Sequence, residues 1–260
     1  MSTKILALLC LLVAHPLVLA DSVPGTAGPI EITPLIHSSV QLEYQGIVVQ
    51  IDPWDRLGLL GAKPADLILI SDDLGHHQDV GAIEKLRKPG AVVVMAANGA
   101  QKWPSGVVIA NGDSIRVAGV TVEAVAAYDI IQGSPSHLKG EANGYVVTLG
   151  GKKFFFAGVT ECVEEVKALE GIDVAFMPLN VPLARMTPAA SAACTRGLNP
   201  AVVYLYHYDQ DYARRALQPD YVGPGLPEGL TVAESLDRFA DELQGSGVEF
   251  RRGEFYPPLD

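Results

Sequence analysis

Four short stretches of the chain are apolar at nearly every position, and they leave few ways to fold. They are residues 65–71 (ADLILIS), 91–95, 172–177 and 201–206, the last ending in His207. A strand of this kind is buried on both faces, as in the parallel part of a sheet that helices cover. Other strands are short, β-branched and alternating: 31–36, Val40–Tyr44 and Ile47–Ile51, the last two joined by a Gln45-Gly46 turn. Asp52-Pro53-Trp54 stops the third, because proline cannot continue a ladder, and Asp52 is expected to cap that turn. Residues 107–110, Ser114–Val117 and 120–126 read as a meander, and 144–149 with 152–157 as a hairpin turning at Gly150-Gly151.

Helices are expected at 79–88, closed by Pro89-Gly90, at 161–169, from Thr187-Pro188 to Leu198, and at 231–243. Thr187 suits an N-cap and Pro188 the first helical position. Val232, Leu236, Phe239 and Leu243 share one face of the last helix. A short strand at 248–250 closes the pattern. Meandering strands in the first half and strand–helix alternation in the second predict two sheets with helices on their outer faces.

The chain opens with Lys4, an almost wholly apolar run over 5–14, and Val18-Leu19-Ala20 as a cleavage site. That is the layout of a secretory signal peptide. Residues 1–20 are therefore expected to be removed, and the protein to be exported to a periplasm or outside the cell. The run is shorter than the roughly 20 apolar residues a bilayer span needs, so no membrane span is expected after cleavage. Residues 21–29 (DSVPGTAGP) read as a flexible lead-in and 30–260 as a single domain, long enough for a sizeable core. A net charge of −11 without any Lys/Arg cluster argues against a nucleic-acid partner. Cys162 and Cys194 remain after cleavage and can pair in an oxidising compartment.

All histidines but His15 lie in the mature chain: His37, His76, His77, His137 and His207. Each follows a predicted strand or sits in a loop, where α/β proteins place their sites. A lone histidine at such a position is usually structural. Five of them together favour a metal-binding pocket, since neutral imidazole is the commonest metal ligand.

The order of these segments resembles the metallo-β-lactamase superfamily, its lactonase-like branch in particular. ITPLIH followed by QLEYQGIVVQIDPW is similar to that family's opening hairpin. ADLILISDDLGHHQD resembles the strand and loop bearing its His-x-His-x-Asp-His motif. NGYVVTLGGKKFFFAGVTEC resembles the hairpin that ends in Gly-Asp-Thr, and VVYLYHY the strand that delivers the last histidine. The resemblance implies a four-layer αββα sandwich of two mixed sheets flanked by helices. It also implies hydrolysis by a water that metal ions activate, with histidine and aspartate ligands and a bridging aspartate.

Position by position, the sequence departs from that pattern. Asp72, Leu74, His76 and His77 fall on the four motif positions, so Leu74 removes one ligand outright. In Gly158-Val159-Thr160, Val159 stands where the bridging aspartate belongs and offers no donor atom. The resemblance therefore implies at most one zinc ion, held by His76, His77 and His207. His137 or Asp72 would be a fourth ligand or a support, and Asp72 a catalytic base. The implied activity is hydrolysis of a small-molecule ester, lactone or amide. The alternative is a catalytically inactive relative that binds a small molecule or a partner through the old pocket.

Overall fold

The computed structural model describes residues 20–59, 61–131, 137–208 and 229–255; the expected signal peptide, save Ala20, lies outside them. The first sheet holds β1 (Asp21–Gly25), β2 (Gly28–Pro34), β3 (Val40–Tyr44), β4 (Ile47–Ile51), β5 (Ala65–Leu69), β6 (Arg87–Met95) and β7 (Val107–Val108), side by side in chain order. The second holds β8 (Ser114–Val117), β9 (Val120–Ala127), β10 (Ala142–Leu149), β11 (Lys152–Phe156), β12 (Val174–Pro178), β13 (Val202–Tyr206) and β14 (Glu249–Arg251), again in order. Each sheet begins antiparallel and turns parallel at its fourth strand, β4 or β11. The switch falls where the sequence changes from alternating to continuously apolar strands.

The continuous runs are buried on both faces, as their composition requires. In β5, Leu67 and Leu69 join the core between the sheets, while Ile68 joins Ile83 and Trp103 on the other side. Ile83 belongs to helix α1 (Val80–Leu86), whose N-cap Asp79 accepts a bond from the Ala82 amide. On the second sheet Phe156, Phe176 and Tyr204 sit in register across β11, β12 and β13. Their rings stack at 4.7 and 4.8 Å. The described residues also hold helices α2 (Glu164–Lys167), α3 (Pro188–Leu198) and α4 (Val232–Leu243). Thr187 caps α3, and Thr231 with Glu234 forms a reciprocal capping box on α4.

Three expectations need correction. Residues 21–29 are no loose lead-in: β1 pairs with β2 from Asp21↔Ile32 to Gly25↔Gly28, and Val23 is buried. An edge strand tolerates Pro24, whose missing donor would break an interior ladder. Residues 107–126 are no single meander. The Ile109 amide bonds Met95 in the first sheet, whereas the Gly112 amide bonds Ala124 in the second. The Asn111-Gly112 turn thus carries the chain between sheets. Helix α2 starts at Glu164 rather than 161, because Thr160 and Glu161 are bonded to residues 128–130 instead.

Cys162 and Cys194 form a disulfide with their Cα atoms 5.8 Å apart, joining the segment before α2 to α3.

Candidate metal centre

Strand ends converge at one edge of the sandwich. His37 follows β2, Asp52 follows β4, Asp72 to His77 follow β5, and His207 follows β13. Three of them hold left-handed backbone: His37 at φ 59°, Asp52 at φ 44° and His207 at φ 52°. Non-glycine residues there are strained, and such strain concentrates at functional sites. The His207 amide donates to the His37 carbonyl at 3.0 Å, which ties the two sheets together at the site.

Four imidazoles meet here. One ring nitrogen each from His37, His76, His77 and His207 lies within 4.8 Å of all the others. The His77 and His207 Nε2 atoms are 2.9 Å apart, and the His37 and His207 ring centroids 3.8 Å. His37, His77 and His207 are fully enclosed, while His76 is partly exposed at the mouth. Behind His77, Asp52 accepts from the His77 Nδ1–H at 2.7 Å, from the Ser71 amide at 2.7 Å and from Ser71 Oγ at 2.5 Å. This fixes the His77 tautomer and turns the Nε2 lone pair into the cluster. Gly158 permits the close approach of the second sheet. A Cβ there would stand 3.1 Å from the Asn143 carbonyl oxygen and 3.3 Å from Ser71 Cβ.

Burial, then the mutual repulsion of neighbouring imidazoles, holds His37 and His207 well below the usual histidine pKa. The same two causes push His76 down to about 3, against the pull of Asp72. Each of the four imidazoles offers a ring nitrogen, so four nitrogen donors converge. Both ring nitrogens of His37 and Nδ1 of His207 are buried without a hydrogen-bond partner, an unusual cost for polar atoms. The donor set therefore fits a metal ion. Two nitrogens about 2.0–2.1 Å from one zinc would lie roughly 3.3 Å apart in a tetrahedral site, close to the His77–His207 spacing.

His137 stands outside this group. Its Nε2 lies 3.2 Å from Asp72 Oδ2 and its Nδ1 3.7 Å from Asp129 Oδ1. Burial works against its charged form, but the bond to Asp72 and the nearby Asp129 outweigh it, and its pKa is raised. For Asp72, burial is likewise overcome by the bond from His137, the charge of His77 and the Leu74 amide, so its pKa is lowered. A carboxylate held in this way is a weak proton acceptor near neutral pH. Asp72 thus suits holding His137 charged better than the base role expected of it. Leu74 faces solvent and Val159 is buried without a donor atom, as their chemistry requires.

The chain matches the model of the beta-lactamase superfamily domain over residues 31–207, a stretch that encloses all four clustered histidines. This chain belongs to the beta-lactamase superfamily. A UPF0173 metal-dependent hydrolase of Thermus thermophilus is 30% identical over 221 residues, covering 77% of this chain and 97% of that protein. A protein of Parabacteroides distasonis assigned as a metal-dependent hydrolase has 29% identity and a TM-score of 0.76, over 92% of this chain and 100% of its own. A metallo hydrolase of Ignicoccus hospitalis shares the fold at 20% identity, with a TM-score of 0.64 over 86% and 95% of the two chains.

In this superfamily member, the sequence places His76, His77 and His207 in the ligand set, leaves His37 a candidate outside it, admits His137, which lies apart, as a possible ligand, and reads Asp52 as a turn cap. His37 carried the same signal as the others, a histidine directly after a strand. Asp52 read as a turn cap because its partners, Ser71 and His77, lie 19 and 25 residues away.

Proposed function

We propose that the chain is a metal-dependent hydrolase with a single ion, zinc by its all-nitrogen donor set, held by His37, His77 and His207 with His76 at the mouth. The observation that carries this is the buried cluster of four imidazoles with Asp52 behind His77. The names of the relatives support hydrolysis, and the substrate class we propose is a small ester, lactone or amide. Those imidazoles would hold a divalent ion, which would supply Lewis acidity to a carbonyl and to a water nucleophile near neutral pH. Three enclosed imidazoles hold; His76, partly exposed, is the one placed to yield to substrate. His137, whose protonated form Asp72 and Asp129 favour, is the group we assign to give a proton to the leaving atom. Leu74 and Val159 leave no second ion a ligand set of the family's kind.

The disulfide supports an exported, oxidising location, and the net charge of −11 supports a small-molecule rather than a nucleic-acid partner.

Elemental analysis of the purified mature protein tests the reading. About one zinc per chain is expected, lost in His77→Ala and His207→Ala. Two ions per chain would overturn the mononuclear assignment. No metal, together with no ester, lactone or amide hydrolysis, would leave the inactive small-molecule-binding relative.

A further inference from the structure

Among the described residues, the exposed large apolar side chains are Leu74, Val80, Val108, Ile130, Leu138 and Leu183. Single exposed apolar residues are ordinary and carry no message. These are not scattered. All but Val108 lie on segments that bear the site or are bonded to it. Leu74 sits between Asp72 and His76, and Val80 opens the helix directly after that loop. Leu138 follows His137, which is ion-paired to Asp72 of the same loop. Ile130 donates its amide to Glu161, and the same carboxylate pairs with Arg185, two residues beyond Leu183. Polar contacts thus link the segments carrying Leu74, Ile130, Leu138 and Leu183 into one rim that starts at the loop bearing His76 and His77.

The wall beside the imidazoles is apolar as well. Trp54 packs edge-on to His37 at 5.4 Å and to His76 at 6.1 Å between centroids. Its ring also lines a narrow cleft with Leu35, Ile36, Pro53, Leu57 and Leu59. An apolar surface therefore adjoins the edge of the donor set. Left bare, it would have to be hydrated, and ligand sites are typically built as apolar walls around a few convergent polar groups.

We infer that the substrate is an amphiphile: its hydrolysable group meets the imidazoles, and an apolar chain lies along Trp54 and across the Leu74, Ile130, Leu138 and Leu183 rim. This rests on the hydrolase reading for which end reacts; seating of the chain requires no metal. The net charge of −11 disfavours an anionic membrane surface as the occupant, and the apolar cleft that Trp54 shares with the imidazoles favours a molecule whose apolar part begins where its polar group meets them.

The probes are uncharged N-alkylacetamides with chains of four to ten carbons, titrated calorimetrically into the protein as purified and after chelator treatment. Affinity is expected to rise about three- to fourfold per methylene, the free energy of burying one CH₂ converted to a ratio, in both preparations. The double variant Leu138→Ser/Leu183→Ser, altered only at exposed positions, is expected to bind the decyl probe at least tenfold more weakly while its thermal midpoint stays within a few degrees. Affinity independent of chain length overturns the proposal, as does unchanged decyl binding in the variant. So does a rim that serves another occupant. A dimer that dissociates in the variant would assign it to a second copy, and loss of phosphatidylcholine-vesicle binding without any chain-length dependence to a membrane surface. Chain-length-dependent binding without any hydrolysis would sink the hydrolase reading and leave this inference standing.

Discussion

At the scale of single residues, the carboxylate behind His77 is the position that sets the site. Asp52 accepts donors on both oxygens, from the Ser71 amide on one and from Ser71 Oγ and His77 on the other. Asn at this position keeps the shape but must point its own N–H₂ at a donor whichever way it turns. Asp52→Asn is therefore expected to fold and to lower zinc affinity about 10- to 100-fold, the usual effect of losing a group that orients a ligand from behind. Competition against a chromophoric chelator measures it, and an unchanged affinity would remove Asp52 from the site. The residue scale is also where the sequence was least legible. The His76-His77 pair and His207 announced themselves by residue type and by their place after strands. Asp52 did not, since a carboxylate before Pro-Trp is equally a turn cap. The separation of His137 from the cluster turns on Asp72 and Asp129 flanking its ring, a contact that no spacing in the chain encodes.

At the scale of elements, local chemistry was readable and long-range pairing was not. The β3–β4 hairpin falls on the residues expected, because β-branched alternation and the Gln45-Gly46 turn, both at positive φ, specify it locally. Thr187-Pro188 likewise starts α3 where its cap chemistry says. The placement of β7 and β8 in different sheets depends on which partner each finds, so three similar short strands looked like one meander. Disulfide pairing belongs to the same class, because it needs geometry that only the fold supplies. Cys162–Cys194 closes a loop of sequence separation 32. The chain-entropy estimate for that length is about 3–4 kcal/mol. A Cys162→Ser/Cys194→Ser variant should then melt roughly 10 °C lower, as should the wild type under reductant. Calorimetric scans with and without reductant check this, and coincident midpoints would show that the crosslink adds nothing to the fold.

At the scale of the whole molecule, stability and the donor set pull against each other. The two sheets meet through an apolar core, yet one edge of their contact is closed by imidazoles that must stay uncharged. His37, His207 and His76 all have pKa values lowered by burial and by one another. The sign of the consequence follows from proton counting. Below an unfolded histidine pKa near 6.5, the unfolded chain takes up protons that these folded imidazoles refuse, so stability falls as pH drops. Each imidazole that stays neutral contributes about 1.4 kcal/mol per pH unit to that slope, and for His76 the slope persists down to about 3. Asp72, with a lowered pKa, adds stability above the unfolded carboxylate value and loses it further into acid. His137 works in the opposite direction. Its raised pKa adds stability that is complete below about 6.5 and disappears as pH rises through its folded value. The chelated protein should therefore be most stable close to pH 6.5, with a steep acid limb and a shallower alkaline one. His137→Gln should flatten the alkaline limb and leave the acid limb in place, whereas His37→Gln should reduce the acid slope. Urea midpoints across pH 4 to 9 for the three proteins decide it, and an acid limb unaffected by His37→Gln would mean that the enclosed imidazole does not set the acid stability of the fold.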